Sequence, residues 1–254
     1  MVMSASADTA QQGMAKVVGI KGSARFMAGA NGNWQPLKTG MTLKAGAILQ
    51  TAASSYVDLI LNDSHAAASV MGGSSSSASG ESSGIAYQPK SQQDAVRVFE
   101  NTVLGIDKLT IDQTGVDTIT ETQFDLKAGS VFGMVKKLSA GSKYEVKIPN
   151  GVAGVRGTVY YVTSTGIVRV ISGSVVIAYV GAGGAVRTVE VKAGFEFDIR
   201  SGPDAQPTPL STQEILKLKP AQTAFTMTKG QATINVPVEG WTPISATRGH
   251  SPNF

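Results

Sequence analysis

Lys143-Tyr144-Glu145-Val146-Lys147-Ile148 decides the fold class. Successive side chains of an extended chain point to opposite faces. Tyr144, Val146 and Ile148 therefore share one face, and Lys143, Glu145 and Lys147 share the other. Such strict alternation predicts a half-buried strand. Phe195-Glu196-Phe197-Asp198-Ile199-Arg200 repeats it. Residues 174–180 and 186–192 read as two further strands, joined by Gly181-Ala182-Gly183-Gly184 as a hairpin turn. That glycine run is no phosphate cradle, because a strand follows it where an anion site needs a helix N-terminus.

Working outward, the same text continues on both sides. Tyr56-Val57-Asp58-Leu59-Ile60-Leu61 reads as a buried strand by its apolar density. Shorter strand-like pieces start at Lys16, and others cover 96–99, 104–111 and 116–126. From 64 to 94 the composition shifts to Ala, Ser and Gly, including Gly72-Gly73-Ser74-Ser75-Ser76-Ser77. This reads as a long insertion. One helix is expected after Ser211. Ser211 and Glu214 form a capping box, Ile215, Leu216 and Leu218 supply an apolar stripe, and Pro220 ends it. Residues 221–254 hold an expected strand, 232–238, and a Pro-punctuated tail with Trp241. The expected fold is all-β, solenoid-like or sandwich-like, with one short C-terminal helix. Its parts are 1–15, a main domain over 16–200, and 201–254.

Composition narrows the function. The chain has 254 residues, no cysteine and 16% charged residues, with a formal net charge of +4. Without cysteine there are no disulfides and no thiolate metal sites. The positive excess forms no basic block, so nucleic acid is not an expected partner. No apolar run approaches the roughly 18 residues that span a bilayer. Ala5-Ser6-Ala7 matches the small-x-small pattern of a signal-peptidase site, so 1–7 read either as an export-signal remnant or as a polar tail. The expected location is extracellular or periplasmic.

Two ordered motif blocks resemble the FecR domain family. The first is Gly19-Ile20-Lys21-Gly22-Ser23-Ala24, followed by Trp34, Leu37, Gly40, Leu43, Gly46, Ile48 and Thr51 at the family's spacing. The second is Leu126-Lys127-Ala128-Gly129-Ser130-Val131, the 144–148 strand, and Pro149-Asn150-Gly151 leading to Arg156-Gly157-Thr158. Val191-Lys192-Ala193-Gly194 closes the pattern. The resemblance spans roughly 16–200 and implies a non-catalytic β module of the bacterial envelope. It also implies that Trp34 packs in the core. The signalling members carry a helical anti-sigma region and a membrane helix before this domain. Neither reads here, so the signalling role is not expected to carry over.

Candidate sites were weighed against blander roles. Arg156 could anchor a carboxylate or phosphate, but it reads better as a structural arginine pairing an acid or carbonyls, with Gly157 relieving a bend. His65 and His250 are isolated, so neither a zinc site nor a Ser-His-Asp triad is expected. Asp58, Asp63, Asp107, Asp112 and Asp117 could line a calcium edge, yet they read better as loop polarity. Trp34, Trp241, Tyr160 and Tyr161 could make a sugar-stacking platform. No cofactor and no catalytic residue is expected.

Two functions stand out. One is a structural protein that associates with itself through β-strand contacts into a filament or surface assembly. Its linking strand would be 232–238, with Ile234, Val236, Val238 and Trp241 as interface residues. The other is a monomeric envelope module that binds a glycan or protein.

Overall fold

The computed structural model describes residues 10–29, 32–61, 94–113, 116–202 and 204–230, with the backbone alone for Ala182 and 224–230. The sequence expectations for 1–7, 64–93, His65, Asp63, His250, the 232–238 strand and Trp241 fall outside these residues.

Seventeen strands and one helix follow in order among the described residues. The strands are β1 (Gln11–Gln12), β2 (Ala15–Lys21), β3 (Ala24–Met27), β4 (Gln35–Pro36), β5 (Thr42–Leu43), β6 (Ile48–Thr51), β7 (Tyr56–Leu61), β8 (Ala95–Val98) and β9 (Val103–Asp112). Next come β10 (Ile119–Ala128), β11 (Ser130–Met134), β12 (Lys143–Ile148), β13 (Gly151–Thr163), β14 (Ile167–Val180), β15 (Val186–Lys192), β16 (Phe195–Asp198) and β17 (Thr208–Pro209). Helix α1 (Thr212–Gly230) ends the described chain.

The strands work as bent rungs. β2 turns into β3, β6 into β7, β8 into β9, β10 into β11 and β15 into β16, while β13 and β14 pass through the bend as single long strands. Each rung pairs with the next, so a curled sheet builds up as a half-barrel with two walls. One wall runs β5-β2-β7-β8-β11, then the second half of β13, the first half of β14, β16 and β17. The other runs β4-β3-β6-β9-β10-β12, the first half of β13, the second half of β14, and β15. β12 joins β10 in parallel. The rungs stack in chain order like a solenoid, and the walls enclose a common core like a sandwich.

Hydroxyls and glycines make the bends. Where a strand leaves one wall, its main-chain groups lose their ladder partners and must find others. The Ser23 N–H donates to Ser55 Oγ at 2.9 Å, and the Thr102 N–H donates to Thr51 Oγ1 at 3.0 Å. The Ser130 N–H donates to Thr102 Oγ1 at 3.0 Å, and Thr158 Oγ1 donates to the Ser174 carbonyl at 2.7 Å. Gly129 (φ 81°) and Gly157 (φ 63°) take the left-handed backbone these bends require. A Cβ on Gly129 would also run into Thr102.

Alternation fills the space between the walls. Val57, Leu59, Leu61, Val96, Val98, Leu104, Phe124, Leu126, Tyr144, Val146, Val168 and Ile177 belong to one contiguous buried cluster. Tyr144, Val146 and Ile148 do share the buried face of β12. Inside the cluster, Phe124, Tyr144 and Tyr160 stack edge to face at 5.9 and 6.1 Å, and the Tyr160 hydroxyl donates to Tyr144 Oη at 3.0 Å. Burial pushes both phenol pKa values up. A raised folded-state pKa leaves stability intact below the unfolded value of about 10 and removes it as pH climbs further. Alkaline titration followed by circular dichroism should therefore show unfolding that begins above about pH 10. The Tyr144→Phe/Tyr160→Phe variant should move that onset upward.

The helix differs from its sequence reading. Ser211 does cap it, since its Oγ accepts the Glu214 N–H at 3.2 Å. Pro220 does not end it but lies within it. Ile215 and Leu216 face solvent, whereas Leu218 and Ala221 pack on Ile60, Ala95 and Phe132 outside the first wall. The buried stripe of the helix is therefore Leu218 and Ala221, and not Ile215 and Leu216.

Candidate functional site

Most residues singled out by the motifs are architectural. Thr51, Gly129, Gly157 and Thr158 sit at the bends described above. Gly40 (φ 89°) and Gly46 (φ 91°) occupy turns before and after β5. Arg156 stands on β13 at the bend, opposite Ser174, and is exposed. Of the two kinds of partner expected for it, an acid or carbonyls, no acid pairs with Arg156 among the described residues. Asp58 and Asp107 each pair with a cation, so they do not line a shared cation edge.

The aromatic platform is dispersed. Tyr160 is fully buried in the core, and Tyr161 lies on the outer face of the first wall against Phe99, at 5.8 Å. Trp34 is 40% exposed and is no core residue. Phe26 on β3 and Leu37 are the buried residues nearby in sequence. Trp34 instead lies beside Arg25, whose guanidinium stands 4.5 Å from the ring centroid. With Ser23, Ala24, Gln35, Pro36, Gln50, Thr51 and Ala52 these residues line an open groove of ≈ 460 Å³. The Arg25 Nε donates to Gln50 Oε1 at 2.8 Å. Sequence reading missed Arg25 and Gln50, because only the β3–β6 pairing brings them together.

The outer face of the first wall carries a ladder of paired residues. Asp58, Arg97, Phe132, Tyr161, Arg169 and Glu196 stand side by side on successive strands. Arg97 grips Asp58 through Nε and Nη2, both at 2.7 Å, and stacks 4.1 Å over the Tyr56 ring. Burial opposes the charge of Arg97, and its bonds to Asp58 outweigh that, so its pKa rises. Arg169 bridges Glu196 and the helix residue Glu214, both at 2.9 Å. This ladder holds α1 in place and leaves its own charges paired.

The outer face of the second wall changes character along its length. On β9, β10 and β12 it is laced with charge: Lys108–Glu121 at 2.6 Å, Lys147–Asp107 at 2.9 Å, and Gln123 to Glu145 at 2.9 Å. On β14 and the start of β15 it carries apolar residues, while Thr188, Glu190 and Lys192 occupy the rest of the outer side of β15. Val176, Val180 and Val186 are 44%, 53% and 74% exposed, with Val152 and Ala178 beside them. β15 pairs only with β14, so its far side is an open edge among the described residues.

Among the described residues, no three His, Cys, Asp or Glu side chains gather as metal ligands, and no helix is long and apolar enough to cross a membrane. The fold and its surfaces define a mostly β protein with bent, stacked rungs, an apolar edge and a Trp-Arg groove. Residues 75–176 match the family model described as FecR protein. The FecR likeness thus holds from within the 64–94 insertion to the middle of β14, and the motif block around Trp34 lies outside the matched stretch. No curated protein matches the chain. Two crystal structures, each of a candidate anti-sigma factor from Parabacteroides distasonis ATCC 8503, are similar at 14% identity with a TM-score of 0.36. The alignments cover 49% and 50% of this chain and 55% and 56% of those chains. The chain therefore spans about half the length of the structures it matches.

Proposed function

We propose that this protein is a non-catalytic, exported structural protein that associates with further copies of itself through β-strand contacts, as an extracellular filament or surface assembly. One observation carries the reading. An open edge strand, β15, adjoins an exposed apolar face made by Val176, Val180 and Val186. An unpaired edge offers main-chain donors and acceptors to an incoming strand, and adjacent apolar surface adds the favourable burial. The donor is the 232–238 segment of a neighbouring copy, where Ile234, Val236 and Val238 alternate with polar or Pro residues. A head-to-tail contact of this kind extends into a filament when the rotation between copies does not close a ring.

Light scattering after gel filtration, with negative-stain microscopy, tests the reading. Assembly should grow with concentration. Val180→Lys/Val186→Lys should remain monomeric with unchanged melting, since exposed substitutions shift stability by only about 0.5 kcal/mol. A chain ending at Gly230, which keeps all of α1, should also remain monomeric. A wild-type monomer at every concentration would refute the proposal.

A second reading is a monomeric envelope module that senses or binds a glycan or protein. The FecR match over 75–176 and the groove at Trp34 favour it.

A further inference from the structure

The groove beside Trp34 lies on β3, β4 and β6, away from the β15 edge, and stands independently of the assembly reading. We propose that it binds an acidic saccharide, with Arg25 receiving the carboxylate of a uronic acid unit and Trp34 receiving the apolar face of the sugar ring.

Three features lead to this chemistry. First, Arg25 is an exposed cation held in a set pose. Its Nε is committed to Gln50 Oε1 at 2.8 Å and its plane lies over Trp34 at 4.5 Å, while no ion pair involves it among the described residues. A guanidinium carries five N–H donors in a rigid fork, so its terminal nitrogens remain for a planar, bidentate acceptor such as a carboxylate. The same Gln50 bond turns the amide nitrogen of that side chain into a further free donor.

Second, among the described residues no acidic side chain lines the groove, and Arg25 is its one cation. A single fixed cation matches a single carboxylate. Trp34, Pro36, Ala24 and Ala52 supply apolar surface around it. The C–H face of a pyranose is itself apolar, and it covers exposed indole at little cost to its hydroxyls, which stay in water.

Third, the main chain of β3 and β6 along the groove is already spent, each strand being paired on both sides. The Ser23 N–H donates to Ser55 Oγ at 2.9 Å, and the Ser23 carbonyl accepts the Ala52 N–H at 3.0 Å. The Ala24 carbonyl accepts the Leu37 N–H at 2.9 Å, the Ala52 carbonyl accepts the Asn101 N–H at 3.2 Å, and the Thr51 N–H donates to the Thr102 carbonyl at 3.0 Å. A peptide adding as a strand needs free main-chain partners. Over β3 and β6 the groove offers side-chain donors instead, which suits a ligand recognised by its substituents.

Calorimetry and tryptophan fluorescence with trigalacturonic acid test the proposal, using a Trp241→Phe chain so that emission reports Trp34 alone. Trigalacturonate should shift the emission and bind at least about tenfold more tightly than neutral galactotriose, because the charge-assisted contact is lost in the neutral sugar. Arg25→Gln should weaken trigalacturonate about tenfold and leave galactotriose unchanged, while Trp34→Ala should weaken both. Arg25→Lys keeps the charge without the fork and should fall between. Arg25 and Trp34 are both exposed, and unchanged melting curves confirm that the variants fold. Val180→Lys/Val186→Lys should bind normally, which separates this site from the assembly edge. Three results would overturn the proposal: no binding at millimolar trigalacturonate, binding indifferent to both Arg25→Gln and Trp34→Ala, or equal affinity for an acetylated tri-aspartate peptide.

Discussion

Gly133→Val is expected to destabilise the protein by about 3 kcal/mol or more, enough to consume much of the roughly 5–15 kcal/mol that holds a typical domain folded. Gly133 lies on β11 directly opposite Tyr160 on β13. A Cβ at this position would overlap the Tyr160 ring and hydroxyl. The ring has nowhere to go. It is fully buried, packs edge-on to Tyr144, and donates its hydroxyl to Tyr144 inside the core. Any shift therefore trades the overlap for a broken buried hydrogen bond. The urea midpoint measures the loss. Gly133→Ala/Tyr160→Leu should recover stability relative to Gly133→Ala alone, because shortening the ring relieves the overlap, and such coupling between touching residues is not additive.

Asp58→Ala is expected to cost about 3–5 kcal/mol, by leaving the Arg97 guanidinium buried without its counter-charge. The pair is 9% and 6% exposed at Asp58 and Arg97, on neighbouring strands β7 and β8. The Tyr56 ring covers one side of the guanidinium and cannot replace a carboxylate. Replacing both members should be far milder. Asp58→Leu/Arg97→Met removes two desolvated charges together, and exchanges of this kind are often neutral. If Asp58→Ala and the double replacement gave equal losses in urea melts, the pair would be stabilising in its own right rather than costly only when broken.

Alternation was the most legible part of the sequence. The runs at 56–61, 143–148 and 186–192 coincide with β7, β12 and β15. The course of the strands through the bends was not legible. Gly157 reads as relieving a bend and residue 174 as the start of a strand, yet β13 and β14 run on through their bends for 13 and 14 residues. What carries a strand around a bend is a hydroxyl from another rung, such as Thr102 supporting Ser130 from 28 residues away. Local text does not record that partnership. Trp34 differs for the same reason: its spacing resembles a packing position, but it lies beside Arg25 on the groove, and Phe26 and Leu37 are the buried residues of this region. The groove and the Asp58–Arg97 pair join residues 25 and 39 positions apart, which only strand pairing reveals. The exposed valines were read as strand residues without their faces, since β14 changes walls at its bend and its outward positions depend on that crossing.

Hydrogen exchange of the β15 amides, measured by mass spectrometry over a range of protein concentrations, bears most directly on what this molecule is for. Slower exchange across 186–192 as concentration rises, with the charge-laced strands β9 and β10 unaffected, is the outcome this account predicts. Exchange at that edge that stays equally fast in dilute and concentrated solution would contradict it.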